Sequence, residues 1–420
     1  MLILIICLIA AATFFSYIHG LGLWLLLMII HGIIYQQLGA GAEHLPFIAG
    51  MVVLVITFAK GQWSGISIKA MLTVLALIML MCISTLQGIR LDVGLVTVLL
   101  YAKGFLLVLL LAGCIRDEKE MKIMTLYCLA GLTIGALAEF YQYETGNFFI
   151  KTIYDERAAS LRGDPNDTAM LLVAGIPLAF YWVSINRKFF GKVFFATILA
   201  ALLFGIILTA SRGGFVSLLG IMLIMFIRRP SAKVFIVGIM LSAIFLAMSP
   251  KSYWERMDTL LTGREDHGSA SLQHRAELQR VGLEMFLERP VLGVGPGNFG
   301  EAYAQHVGGI QASEVGGVAH NMYLEFFVEN GFLGGLLLLY IFAQAILGLL
   351  RYDRFQGAET GRFGIGFSIA LALGGMLFSG LFLSQAKNSV LWFMTGMGIT
   401  AGLITREMKK KMKPALTRQK

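Results

Sequence analysis

Three short stretches of this sequence carry residue types able to hold an anion or move a proton. In Thr209-Ala-Ser-Arg-Gly-Gly214, Arg212 interrupts a run of roughly 35 otherwise uncharged residues between Lys192 and Arg228. An arginine in such a run is costly unless it reaches water or an anion, and Gly213-Gly214 lets the chain turn or a ligand come close. The plainer reading is that Arg212 only marks a turn between two spans, its head snorkelling to the interface. The second stretch is Gln273-His-Arg-Ala-Glu-Leu-Gln-Arg280, followed by Glu288-Arg-Pro-Val-Leu-Gly-Val-Gly-Pro-Gly-Asn-Phe299. The planar fork of a guanidinium suits a diphosphate, so Arg275 and Arg280 are candidate anion clamps, with a solvated helix face as the alternative for either. Gly293, Gly295 and Gly297 imitate a phosphate loop, but no Lys-Ser/Thr pair follows them; a helix terminator and tight turn reads better.

The third stretch is Ala319-His-Asn-Met-Tyr-Leu-Glu-Phe-Phe-Val-Glu-Asn-Gly331. His320 titrates near neutral pH and stands where a span begins, placed to take a proton from a hydroxyl, with Glu325 and Glu329 a helical turn apart beyond it. A His-Asn pair at a helix start also reads as a cap, with Asn321 capping. Weaker candidates surround these. Asp164-Pro-Asn-Asp167 reads as turn and helix cap in preference to a divalent-metal site, and no His or Cys cluster backs a metal. Arg157 and Arg162 beside it could extend a phosphate-binding surface, as could Lys387-Asn388 at the last periplasmic turn, where snorkelling is the simpler account. No serine or cysteine grouping has the context of a hydrolase.

The elements that must position these residues are membrane helices. Of 420 residues 57% are hydrophobic and only 14% charged, with a mean hydropathy of +0.76, where a soluble domain carries about a quarter charged residues. Apolar stretches recur near 2–18, 21–38, 46–59, 68–86, 93–115, 121–141, 168–186, 191–210, 213–228, 232–249, 320–350, 363–384 and 389–405. They predict an all-α polytopic membrane protein with 12 or 13 transmembrane helices and one large, partly helical periplasmic loop. The organisation expected is N-terminal transmembrane helices over 1–249, the loop over 250–319, C-terminal transmembrane helices over 320–405 and a basic tail over 406–420. The first apolar run lacks the flanks of a cleaved signal and reads as a retained span. Lys103 lies well inside its span, so it must snorkel or find a polar partner.

The formal charge of +9 is largely a tail property, since seven Lys or Arg fall in 406–420. That tail and the basic connectors at Arg187, Lys188 and Lys192, at Arg228, Arg229 and Lys233, and at Arg351, Arg354 and Arg362 belong on the cytoplasmic side near anionic headgroups, with no nucleic-acid site. Counting spans between them puts 142–167, the turn at 211–214 and the long loop on the opposite, periplasmic face. Gln273–Leu287 alternates apolar Ala276, Leu278, Val281, Met285 and Phe286 with Arg275, Glu277, Arg280 and Glu284, an amphipathic helix stopped by Pro290. The four cysteines lie in or beside apolar segments, which argues against a disulfide framework.

The ordered set of three motifs, with Ala-Ser-Arg-Gly-Gly at a span end, an Arg-bearing loop helix with its Gly-rich turn, and His-Asn-X-Tyr-Leu-Glu opening the next span, resembles the O-antigen ligase and polymerase superfamily of bacterial inner-membrane glycosyltransferases. The resemblance covers about half the chain, from Arg157 to Gly335. It implies a glycan donor carried on undecaprenyl diphosphate, no metal and no other cofactor, Arg212 and Arg275 holding the donor diphosphate, and His320 as base on the acceptor hydroxyl. Arg280 is the rival to Arg275. The leading expectation is a ligase joining polysaccharide to lipid A core; a polymerase with a second lipid-linked glycan as acceptor and a protein O-oligosaccharyltransferase share the same donor chemistry. A transporter of lipid-linked sugars is the competing class. It predicts paired charges or broken helices near mid-bilayer and often two similar halves, whereas the ionisable residues outside the basic connectors collect mostly on one face and the sequence shows no duplication.

Overall fold

The computed structural model describes residues 1–63, 68–146, 150–152, 155–157, 161, 164–228, 243, 247, 267–308, 317–356 and 363–417. Their helices are α1 (Leu2–Phe15), α2 (Tyr17–Leu38), α3 (Leu45–Ala59), α4 (Ile68–Leu86), α5 (Leu91–Cys114), α6 (Glu118–Thr145), α7 (Pro165–Ile185), α8 (Phe189–Leu208), α9 (Arg212–Arg228), α10 (His267–Glu288), α11 (Phe299–Val307), α12 (Met322–Phe355), α13 (Ile365–Ser379) and α14 (Ser389–Thr417). Seven of these, α2, α4 to α8 and α12, are long and apolar enough to cross a membrane, and α1, α3, α9 and α13 are shorter apolar helices. The chain is therefore a helical, multi-pass membrane protein, and the expected span at 232–249 lies outside the described residues save for two isolated positions. One small departure from all-helix is an antiparallel hairpin of β1 (Ile150–Thr152) and β2 (Asp155–Arg157).

The helix ends follow from the local sequence. Asp117 caps α6 by accepting from the Glu120 amide at 2.9 Å, and the Glu120 carboxylate accepts from the amide of Arg116, just before the cap, at 2.7 Å. In the bundle centre Trp392 of α14 meets Phe105 of α5 edge-to-face at 4.7 Å, with Tyr101 and Phe342 against the same indole. Apolar side chains such as Val55, Phe58 and Leu95 point outward, as a lipid-facing surface requires.

One end of the bundle carries Lys60, Lys69, Arg116, Arg228 and Arg351 at or near helix ends and Arg406 within α14; the other carries the loop. These are the basic end and the loop end. At the loop end a second, smaller core forms from Leu278, Val281 and Met285 of α10, Phe299 and Tyr303 of α11, and Val294, Ala319 and Val328. The amphipathic helix expected over Gln273–Leu287 is thus α10, with its apolar face on this core and Pro290 just past its end.

The Gly-rich turn is a fastener. Val294 and Gly295 donate their amides to the carbonyls of Val328 and Glu329 at 2.9 and 3.0 Å, and Phe332 donates to Pro290 at 2.7 Å. Those carbonyls are available because α12 breaks at Gly331, which has φ +69° and ψ −177°. A Cβ on Gly331 would stand 2.0 Å from the Val291 carbonyl oxygen, so only glycine fits. Ser84 of α4 donates to the Leu292 carbonyl at 2.6 Å, which ties the turn to the bundle. These residues are a structural joint, in line with the turn reading of the sequence.

Candidate active site

His320 lies between the loop and α12, half-buried, with its backbone in the left-handed region at φ +49°. Non-glycine residues rarely adopt that conformation, at a cost of order 1–3 kcal/mol, so the surroundings must hold it. They do so from both sides. After it, Asn321 caps α12, its side-chain oxygen accepting from the amides of Tyr323 and Leu324 at 3.1 Å each. Met322 donates its amide to the Gly380 carbonyl at 2.8 Å, and the Tyr323 hydroxyl donates to the Leu377 carbonyl at 2.7 Å, which docks the start of α12 on the end of α13. Before it, the Ala319 amide donates to the Glu325 carboxylate at 3.0 Å, and the Ser384 hydroxyl donates to the same carboxylate oxygen.

Arg275 approaches from α10. Leu278, Val281 and Met285 bury one face of that helix, and Arg275, one turn before Leu278, is itself half-buried. Burial lowers the pKa of its guanidinium, and the nearby charge of Asp164 works against that fall. The same groups act on His320. Burial pushes its imidazole down to about 4, the Arg275 charge pushes the same way, Asp164 pulls it up, and His274 adds a smaller downward push. His320, Arg275 and Asp164 are thus near enough to feel one another, and the imidazole is neutral at physiological pH with a free nitrogen able to accept a proton.

Asp164 belongs to the third wall. It caps α7, accepting from the Asn166 and Asp167 amides at 2.7 and 3.2 Å, as the turn-and-cap reading expected. Asn166 in turn accepts from the Ser211 hydroxyl at 2.9 Å, and Ser211 Oγ accepts the Gly214 amide at 3.1 Å. The starts of α7 and α9 are therefore laced together beside the site. Ala210, just before this turn, has φ +47°. Among the described residues it and His320 are the non-glycine residues with positive φ, and backbone strain of this kind collects at functional sites. The two glycines that follow Arg212 differ in duty. A Cβ on Gly214 would meet Ala169 Cβ at 2.6 Å, so that glycine presses α9 onto α7, whereas Gly213 has open space around it and leaves the backbone accessible to a ligand. Three helix starts, those of α7, α9 and α12, surround the site, and their dipoles favour an anion.

Residues 197–339 match the family model described as O-antigen ligase. The match spans about a third of the chain and agrees with the O-antigen ligase and polymerase resemblance carried by the three motifs. No curated protein matches the chain significantly. The O-antigen ligase segment runs from α8 through the Arg212 turn, α10 and the Gly-rich joint into α12, so it contains Arg212, Arg275, His320 and Gly331. Asp164 and Ser384 lie outside it. The candidate site thus draws part of its surroundings from α7 and from the turn before α14, outside the matched segment.

The other expected site residues fall as follows. Arg280 lies on the exposed face of α10 and pairs with Glu284 at 2.8 Å, so of the two loop arginines it is Arg275 that comes within electrostatic reach of His320. Asn321 caps α12 and Glu325 clamps the loop. Arg212 is the first residue of α9 and Arg157 closes β2; their side chains, and Arg162 altogether, lie outside the described residues. Among the described residues there is no group of three His, Cys, Asp or Glu side chains spaced to hold a metal. Sequence reasoning missed Asp164 as an electrostatic partner, because its cap signature accounted for it fully, and missed Ser384, which no motif marks.

Proposed function

We propose that the chain transfers a glycan from undecaprenyl diphosphate to an acceptor hydroxyl on the periplasmic face, as a ligase acting on lipid A core. The observation that carries this reading is a neutral, half-buried His320 within electrostatic reach of the cationic Arg275. In the step envisaged, His320 takes the proton of the acceptor hydroxyl as that oxygen attacks the anomeric carbon. The bond from that carbon to the diphosphate oxygen breaks, the electron pair leaves with the lipid diphosphate, and the anomeric configuration inverts. Arg275 and Arg212 stabilise the diphosphate as its charge grows, work that a low-dielectric site strengthens. Asp164 stabilises the imidazolium formed in the same step. The clustering of Lys60, Lys69, Arg116, Arg228, Arg351 and Arg406 at the other end supports a cytoplasmic position for that end and a periplasmic one for the site.

The test is reconstitution of purified protein with undecaprenyl-diphosphate glycan, offering lipid A core in one reaction and extra donor alone in another, each beside a His320→Ala control. Product on lipid A core that is lost in the variant supports the ligase. Lengthening of donor chains alone replaces it with a polymerase, and no transfer in either reaction defeats both.

A further inference from the structure

A cavity of about 270 Å³ opens at the basic end, between the start of α4 and the later turns of α12 and α14. Four cations line it: Lys69 of α4, Arg351 of α12, and Arg406 and Lys409 of α14. Among the described residues no acid lines it. The acids nearest in sequence are engaged elsewhere, Asp353 with Arg228 at 3.8 Å and with the Phe367 amide at 3.3 Å, and Glu407 with Lys410 at 2.6 Å. The four cations are exposed, with Lys69 over the Tyr340 ring and Lys409 over the Phe355 ring; like charges gathered this way repel one another, and an anion among them relieves that repulsion. The cavity is also amphipathic. Tyr340, Gln344 and Thr405 add polar groups, while Val74, Ile341 and Ile399 give an apolar wall leading toward the bundle.

Depth selects among anions. Arg351 is 19 residues past Phe332, the first residue after the break in α12, roughly 30 Å at the helical rise, which is about the thickness of the hydrocarbon layer. With His320 at one water boundary, the four cations stand in the opposite headgroup layer. We propose that this cavity binds an anionic phospholipid, its phosphate among Lys69, Arg351, Arg406 and Lys409 and an acyl chain along the apolar wall. Basic pockets between transmembrane helices are suited to such headgroups. The site is separate from the one around His320, and its occupancy does not depend on which acceptor the enzyme uses.

The test is a lipid titration of the delipidated full-length protein by native mass spectrometry, using phosphatidylglycerol, phosphatidylcholine, and inorganic phosphate as a competitor. Expected is selective retention of phosphatidylglycerol, weakened about fivefold for each cation removed, hence roughly twenty-five-fold in R351Q/R406Q and little in the charge-keeping R351K/R406K. K69Q/K409Q, on exposed side chains, supplies the same reading should the arginine pair fail to fold. Equal retention of the two lipids, or retention indifferent to all these substitutions, overturns the proposal. Displacement of phosphatidylglycerol by millimolar inorganic phosphate also overturns it, in favour of a free-anion site.

Discussion

The carboxylate of Glu325 accepts the backbone amide of Ala319 at 3.0 Å, closing a loop of chain around His320. Ser384, from the turn before α14, donates to the same oxygen, so three parts of the fold meet at one carboxylate. Glu325→Ala would leave the buried Ala319 amide unpaired, a loss of about 1–3 kcal/mol. The expected outcome is a lowered thermal midpoint and a fall in kcat for glycan transfer with donor KM little changed, partly restored by Glu325→Gln. A change in KM alone would argue that Glu325 binds substrate and does not position His320.

His320→Ala removes the base and is expected to slow transfer by about 10²–10⁴-fold, the usual contribution of a positioned acid or base. Its thermal stability should stay near that of the parent, because the hydrogen bonds around this residue are made by Ala319, Asn321 and Met322. The transfer rate measured on folded protein decides the matter.

The pH dependence carries a sign. His320 titrates near 4 in the folded chain and near 6.5 when unfolded. Its contribution to stability is intact above pH 6.5, falls as pH drops from 6.5 toward 4 because the unfolded chain protonates first, and changes no further below that. For catalysis, kcat/KM should hold steady down to about pH 4 before falling. A diphosphate beside Arg275 adds negative charge near the imidazole, so the acid limb of kcat should lie at higher pH than that of kcat/KM. Arg275→Gln removes a positive neighbour and should shift the kcat/KM limb upward. Coincident limbs in parent and variant would separate the two residues.

The two loop arginines should differ sharply. Arg280→Gln breaks one exposed ion pair with Glu284, worth about 0.3–0.5 kcal/mol, and should leave transfer near the parent rate. Arg275→Gln should reduce it about tenfold to a thousandfold through lost stabilisation of the departing diphosphate. Parallel kinetics of the pair check this, and equal losses would reinstate Arg280.

Gly331→Ala sets a Cβ against the Val291 carbonyl at a positive φ. Strain of this kind costs about 1–3 kcal/mol before the clash is counted. A large drop in thermal midpoint or in yield of folded protein is expected, while Gly213→Ala, in open space, should fold normally.

Much of this was legible in the sequence because membrane helices announce themselves by length and apolarity, and α10 by its alternation. The ordering of Arg212, Arg275 and His320 was legible as well. What the sequence hid were contacts between distant segments. Asp164 carries a complete local explanation as a cap, so nothing marked its reach toward Arg275 and His320. Glu325 looked like a polar stripe with Glu329, yet one clamps the loop from Ser384 and Ala319, and the other takes the Gly297 and Phe299 amides. The break in α12 was not readable, since a lone glycine in a helical run is ordinarily tolerated and the need for glycine at Gly331 arises from a carbonyl 40 residues earlier.

That break also sets where one such enzyme can be cut and joined to another. The first nine residues of α12 are held by the loop's turn and lie on the far side of a non-helical joint from the rest of the span. A chimera that exchanges acceptor preference should carry its crossover at Gly331, taking Met322–Asn330 along with the loop, because a crossover drawn at the start of the helix would divide a single mechanical part.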